Sequence, residues 1–312
     1  MTNKAPRMPV PEFLSEQAQA SLARIRPEAA YPDKDDTQGW LTLVSQIDSW
    51  IESAFSGIEL PVRVDETEIA GVHTYVVRGP RVEDSPATPV YLDIHGGALM
   101  FGGGRSAHLT ASPLALGTNM IHWVVDYRMP PLHPYPAALD DVFAVYNALL
   151  EVRDPADIIV GGGSAGGNLA AALLLRAQDE GLAMPAALVL NSPEIDLTES
   201  GDTFNTLDAV SPALGSLMKV NRLYAGGADL THPYLSPLFG DVSGFPPTLL
   251  ISGTRDLYLS NTVRMHRKLR AAGVAAELHV FEAMPHGGFG GAPEDQEVNA
   301  EMIKFITRHR QA

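Results

Sequence analysis

The stretch DIIVGGGSAGGNLAAALLL, residues 157–175, restricts the fold more than any other part of the chain. A short run of β-branched apolar residues enters five glycines between 161 and 167, and a run of helix formers follows. That order reads as buried strand, tight turn and helix, a unit that requires a sheet covered by helices. Two motifs share the turn. Glycines 161, 163 and 166 fit G-x-G-x-x-G, which cradles a dinucleotide, and residues 162–166 fit G-x-S-x-G, which lifts a serine onto a sharp elbow.

The rest of the chain supplies the frame that either motif needs. VRVDETEIAG and VHTYVVRG alternate like a half-buried antiparallel pair. PVYLDIHGG, MIHWVVDYR, DIIVGG, AALVLNS, PTLLISGTRD and AELHVFEA are compact apolar runs, as expected of parallel strands covered on both faces. Helical patterns at 137–151, 168–180, 260–272 and 294–310 separate them. The prediction is an α/β fold: a mostly parallel central sheet of about eight strands flanked by helices.

Two segments fall outside this alternation. Residues 1–56 read as helices, with Leu41, Val44, Ile47, Ile51 and Phe55 at helical spacing. Residues 198–245 are too long for a connection and carry Leu207, Leu214, Leu217, Met218, Leu223 and Tyr224. The expected organisation is a catalytic domain at 57–197 and 246–312, with both segments forming a helical cap over the carboxyl edge of the sheet. No repeat or low-complexity tract interrupts it.

Composition removes several function classes. With 22 Lys+Arg against 37 Asp+Glu, the net charge of −15 offers no footprint for nucleic acid, an anionic membrane or a polyanionic substrate. The absence of cysteine excludes disulfides, thiolate nucleophiles and Cys-ligated metals. No apolar run reaches the length of a membrane span, and no leader pattern opens the sequence, so the cytoplasm is the expected location and no membrane insertion is expected.

Context separates the two turn motifs. A dinucleotide site needs an acidic residue about 20 residues past the glycines. GLAMPA occupies that place, with Glu180 before it and Glu194 beyond the next strand, so the cofactor reading lacks its ribose partner. A serine elbow needs a histidine base, a carboxylate to hold it, and N–H donors where a carbonyl oxygen turns negative. Such elbows are followed by acid and then histidine, each after a strand. Asp256 follows PTLLISGTR and His286 follows AELHVFEAMP, so Ser164, Asp256 and His286 are the expected triad. The loop His95-Gly96-Gly97-Ala98 follows PVYLDI, and its small residues let N–H groups of Gly97 and Ala98 join that of Ala165 in an oxyanion hole.

HGGA at 95–98, DYRMPPLHPYPAALDD at 126–141, GGSAGGNLA at 163–171, SPEIDLT at 192–198, SPLFGDVSGFPPTLLISGTRDLYLS at 236–260 and PHGGF at 285–289 together resemble the hormone-sensitive-lipase-like α/β-hydrolases, the bacterial family IV esterases. The resemblance covers nearly the whole chain. It implies a serine carboxylesterase for short-chain or small apolar esters, with no metal or organic cofactor, and a homodimer for which the edge strand near AELHVFEA is the expected contact. His95 and Gly96 would support the oxyanion loop rather than react. A lactonase, deacetylase or amidase would use the same machinery, and some relatives without the histidine are small-molecule receptors; His286 argues against that last reading.

Two positions depart from the family pattern. Ala98 replaces a third glycine, keeping the N–H while adding a methyl group, and related loops are expected to include enzymes for bulky tertiary-alcohol esters. Gly163 stands where Asp or Thr is common. Asp229 and Asp241 compete for the acid role but lack a preceding core strand, and His266, His279 and His309 fit structural positions. Asp126, Arg128, Asp140 and Asp141 are expected to form ion pairs that hold their loop. Trp40, Trp50, Phe55 and the apolar residues near Met218 are expected in the core of the cap.

Overall fold

The computed structural model describes residues 8–24, 30–207, 211 and 214–310. Parts of the expected cap, at 1–7, 25–29, 208–210 and 212–213, therefore lie outside the described residues, as do 311–312. Eight strands form one sheet: β1 Arg63–Ile69, β2 Val72–Arg78, β3 Val90–Ile94, β4 Ile121–Val125, β5 Ile158–Gly163, β6 Ala187–Asn191, β7 Thr248–Arg255 and β8 Ala276–Pro285. Their order is β1-β2-β4-β3-β5-β6-β7-β8. β2 pairs antiparallel with β1 and β4, and every other pairing is parallel. Strand number, position and direction thus follow the sequence reading.

Alternation along each strand explains the two cores. Leu92, Ile94, Val160, Leu188, Leu190 and Leu250 point to one face, where α4 Ala137–Leu150, α5 Ala165–Asp179 and α8 Leu259–Ala271 cover them. Tyr91, Ile159, Val189, Leu249 and Ile251 point to the other, under α9 Pro293–His309. Burial on both faces is why these runs are continuously apolar. α5 is lined with small residues, so it lies against the sheet with twelve of its residues buried.

One helix escaped the sequence reading. α3, Arg105–Thr118, covers β2 and β4 through Ala107, Ala111 and Ala115. Pro113 lies inside it and removes a backbone donor, while its Ser, Thr and Gly content weakens the apolar stripe. Packing against the sheet, rather than intrinsic propensity, sustains it. Thr110 and Ser112 hydroxyls bond back to Ser106 and His108 carbonyls at 2.9 and 2.6 Å.

The two N-terminal helices go to different places. α1, Glu16–Ala23, packs through Leu14, Ala18 and Leu22 into the α9 core. The Ser15 N–H and hydroxyl donate to the Glu294 carboxylate at 2.7 and 2.8 Å. α2, Thr37–Ala54, instead joins α6, Asp202–Thr206, and α7, Met218–Ala225. Their shared core combines Trp40, Phe204, Leu217 and Val220 with Ala98, Met100, Leu257 and Tyr258 from loops at the carboxyl edge. Trp50 does not join it; near the end of α2 it is 70% exposed, which corrects the expectation that it is core.

Candidate active site

β5 delivers the elbow. Ser164 has φ +54°, a left-handed conformation that is costly for a residue with a Cβ, and it directs the hydroxyl away from the turn. Neighbouring glycines make the turn possible. A methyl group on Gly166 would strike the Ile94 carbonyl oxygen, and one on Gly162 would strike the Gly166 backbone. The elbow is anchored on both sides: the Ser164 N–H donates to the Asn191 carbonyl at 2.9 Å, and its carbonyl accepts from Glu194 N–H at 3.0 Å.

The other two expected residues arrive at the same point. His286, in the loop after β8, places Nε2 3.0 Å from Ser164 Oγ and Nδ1 3.0 Å from Asp256 Oδ1. Asp256, in the loop after β7, is fully buried. Its Oδ1 also accepts the Tyr258 N–H at 3.0 Å, and its Oδ2 accepts the Ser252 hydroxyl at 2.9 Å. Burial pushes this carboxyl up, but the charge and hydrogen bond of His286, the Tyr258 N–H and the Ser192 side chain outweigh burial and hold it below its ordinary range. His286 shows the converse balance: burial pushes it down, and the Asp256 charge and hydrogen bond, with the Glu194 charge behind them, bring it above its ordinary value.

The loop after β3 lies against the elbow. A methyl group on Gly96 would sit 2.9 Å from the Gly163 carbonyl oxygen and 3.5 Å from Ser164 Cβ. Gly97, Ala98 and Leu99 all have positive φ, at 128°, 52° and 59°, and the Gly97 carbonyl receives the N–H groups of Met100 and Phe101 at 2.9 Å each. Among the described residues, the N–H groups of Gly97, Ala98 and Ala165 have no hydrogen-bond partner. His95 is buried beneath them. Its ring stacks on Tyr127 at 4.1 Å, its Nδ1 lies 2.8 Å from the Gly96 carbonyl, and burial lowers its pKa, so a neutral ring with Nδ1–H donating fits.

Two carboxylates absent from the expected site brace the same loop. The Asp48 carboxylate on α2 accepts the Gly102 N–H at 2.7 Å. Asp126 accepts the Gly104 N–H at 2.8 Å and lies 3.0 Å from His73 Nδ1. Asp48 sits in an amphipathic helix with no strand before it, so no motif marks it. The expected ion pairs form further back: Arg128 grips Asp141 with contacts of 2.7–3.0 Å, and Arg176 meets Asp140 at 2.6 Å. The rival acids Asp229 and Asp241 are spent on capping Thr231 and Ser243 N–H groups.

Residues 91–289 match the family described as the alpha/beta hydrolase fold, and the chain belongs to it. An esterase from Acinetobacter venetianus is 34% identical over 261 residues, 79% of this chain and 82% of that one. The crystal structure of esterase E25 superposes with a TM-score of 0.87 at 35% identity, covering 98% of each chain. A crystal structure of an esterase from the bacterial hormone-sensitive lipase family gives 0.81 at 28% identity over 95% of this chain and 99% of the other. Further relatives bear the name carboxylesterase. The protein is a carboxylesterase of the hormone-sensitive-lipase group. Among the described residues no helix is long and apolar enough to cross a membrane.

The Asp48 contact makes the geometry of the loop after β3 depend on α2. Asp48→Ala is expected to reduce kcat about 10-fold on a butanoate ester, since the loop loses its anchor. Asp48→Asn retains an acceptor oxygen and relieves repulsion from Glu52 and Asp126, which together with burial raises the Asp48 pKa. It should stay within about 2-fold of wild type in steady-state kinetics.

Proposed function

We propose that Ser164 is the nucleophile, His286 its general base and Asp256 the carboxylate that orients and stabilises the imidazole. The observation that carries this reading is the continuous chain Ser164 Oγ–His286–Asp256, two contacts of 3.0 Å, beside three unengaged N–H groups. His286 removes the serine proton as Oγ attacks the ester carbonyl, and the N–H groups of Gly97, Ala98 and Ala165 receive the developing oxyanion. The protonated histidine then gives its proton to the departing alcohol. Water, deprotonated by the same ring, releases the acid from the acyl-enzyme. His95 and Gly96 shape the loop and take no part in proton transfer.

In this reading α2 and residues 198–245 are the cap, and 57–197 with 246–312 form the catalytic domain. Trp40, Ala98, Met100, Phe204, Leu217 and Tyr258 share one apolar core at this end of the sheet, which favours short-chain or small apolar esters. We place the enzyme in the cytoplasm, because a chain without cysteines gains no stability from an oxidising compartment. We also propose a homodimer through the β8 edge, where Val280 is exposed, to be checked by light scattering.

A fluorophosphonate probe should label wild-type protein at Ser164, with the adduct mapped by peptide mass spectrometry. A p-nitrophenyl series from acetyl to octanoyl should show kcat/KM highest at the short end. Labelling elsewhere, or a maximum at octanoyl, would reject the assignment.

A further inference from the structure

A second carboxylate is buried behind the triad, and the reaction above gives it no task. Glu194 is fully buried. Its N–H donates to the Ser164 carbonyl at 3.0 Å, and its carbonyl accepts Asn168 Nδ2 at 2.7 Å, so its backbone is clamped to the elbow. Neither side-chain oxygen has a hydrogen bond of ordinary geometry, although the Tyr258 hydroxyl and the Asn221 side chain act on them. The hydroxyls of Tyr258 and Tyr224 and the Asn221 Oδ1 are also left without bonds of ordinary geometry. Tyr258 joins this cluster to the triad twice, since its N–H holds Asp256 and its ring meets the His286 ring edge-on at 4.9 Å.

The groups facing Glu194 are Tyr258 before α8, His286 after β8, Asn221 and Tyr224 on α7, Tyr127 after β4, and the like charge of Glu199. His286 is the only member of this set able to become positive. A buried carboxylate without a cation is costly, and this one gains its counter-charge only while His286 holds the serine proton. An interaction that strengthens as the transition state forms accelerates the reaction. Resting on the assignment of His286 as the base, we propose that Glu194 is a positioning residue that stabilises the His286 imidazolium electrostatically, as a second carboxylate behind Asp256.

Burial pushes the Glu194 pKa up to about 7, opposed by Tyr258, His286 and Asn221, so this charge develops across the neutral range. Ionised Glu194 in turn holds His286 up, and the two titrations are coupled. Because full activity needs ionised Glu194 as well as neutral His286, the wild-type acid limb of kcat/KM falls more steeply than one proton requires.

The test is the pH profile of kcat/KM for a butanoate ester in a pH-stat, from roughly pH 5 to 9. Glu194→Gln should shift the limb to lower pH by about 0.5–1 unit, reduce its steepness to one proton, and lower the plateau kcat about 3- to 30-fold. Glu194→Asp retains the charge and should keep the steep limb. Tyr258→Phe removes a donor that favours the ionised form and should shift the limb to higher pH, opposite to the glutamine variant.

Stability gives an independent readout. The folded pKa of Glu194 is raised, so the cost of its charge is absent below the ordinary value of 4.5 and complete above about 7. Glu194→Gln should melt higher than wild type at pH 8, with the gain vanishing towards pH 5. A purely structural glutamate would leave the limb in place. If wild type shows the limb and Glu194→Gln does not move it, the proposal fails while the triad stands. If wild type shows no limb and Ser164→Ala still turns over, the assignment of the base fails first.

Discussion

Ser164→Ala is expected to leave a folded protein whose kcat on p-nitrophenyl butanoate is lower by about 10⁵-fold or more. In the proposed mechanism the hydroxyl supplies the bond-forming atom, so neither the proposed oxyanion donors nor His286 could compensate for its loss. The backbone at 164 is held by bonds from its N–H to Asn191 and from Glu194 to its carbonyl, none of which involves Oγ. Alanine therefore adopts the same turn, and the melting temperature should change by no more than about 2 °C. A calorimetric scan beside a single-turnover assay separates the two quantities. Activity within 100-fold of wild type, as a rough limit, would show that another group attacks the ester.

Asp256 presents a sharper comparison, because two substitutions there should differ. Asp256→Ala removes both the charge and the acceptor that orients His286, and kcat should fall about 10⁴-fold. Asp256→Asn should cost only about 10²- to 10³-fold. The reason lies in the Tyr258 N–H, which donates to the same Oδ1 as His286 Nδ1 and so requires a carbonyl oxygen there. The amide nitrogen is directed towards Ser252, and the imidazole keeps Nδ1–H with Nε2 free to take the serine proton. Charge is lost while the tautomer survives.

The pH dependence follows with its sign. Asp256 raises the His286 pKa, so the acid limb of kcat/KM moves to lower pH in both variants. The depressed Asp256 pKa stabilises the fold above the ordinary value of 3.8 and is lost as pH falls through the lower folded value. The difference in melting temperature between wild type and Asp256→Asn should therefore shrink below pH 3.8.

Which parts of this molecule are readable from sequence depends on where their information lies. The strands were legible because a parallel strand buried on both faces needs an unbroken apolar run, and Ile158–Gly163 or Thr248–Arg255 has no other plausible place. Ser164, Asp256 and His286 were legible because the elbow glycines and the strand ends specify positions before any distance is known. α3 was not, since small residues around Pro113 carry no strong period and tertiary contacts decide the matter. Asp48 and Glu194 were hidden for another reason. A carboxylate that acts across more than 50 residues, as Asp48 does on Gly102, leaves no local spacing to recognise. For Glu194 one signal existed: an acidic residue in the run SPEIDL, just past a core strand, where burial was to be expected.

The bond from Ser15 to Glu294 links residues 279 positions apart, and Arg255 reaches back to the Pro9 carbonyl in the same region. On the ribosome, α1 must wait for α9. Until α9 emerges, Leu14, Ala18 and Leu22 have no surface to close upon, and contacts so distant in sequence slow the final docking step. The nascent chain therefore carries α1 as a loose hydrophobic segment until α9 is made and the two can close on each other.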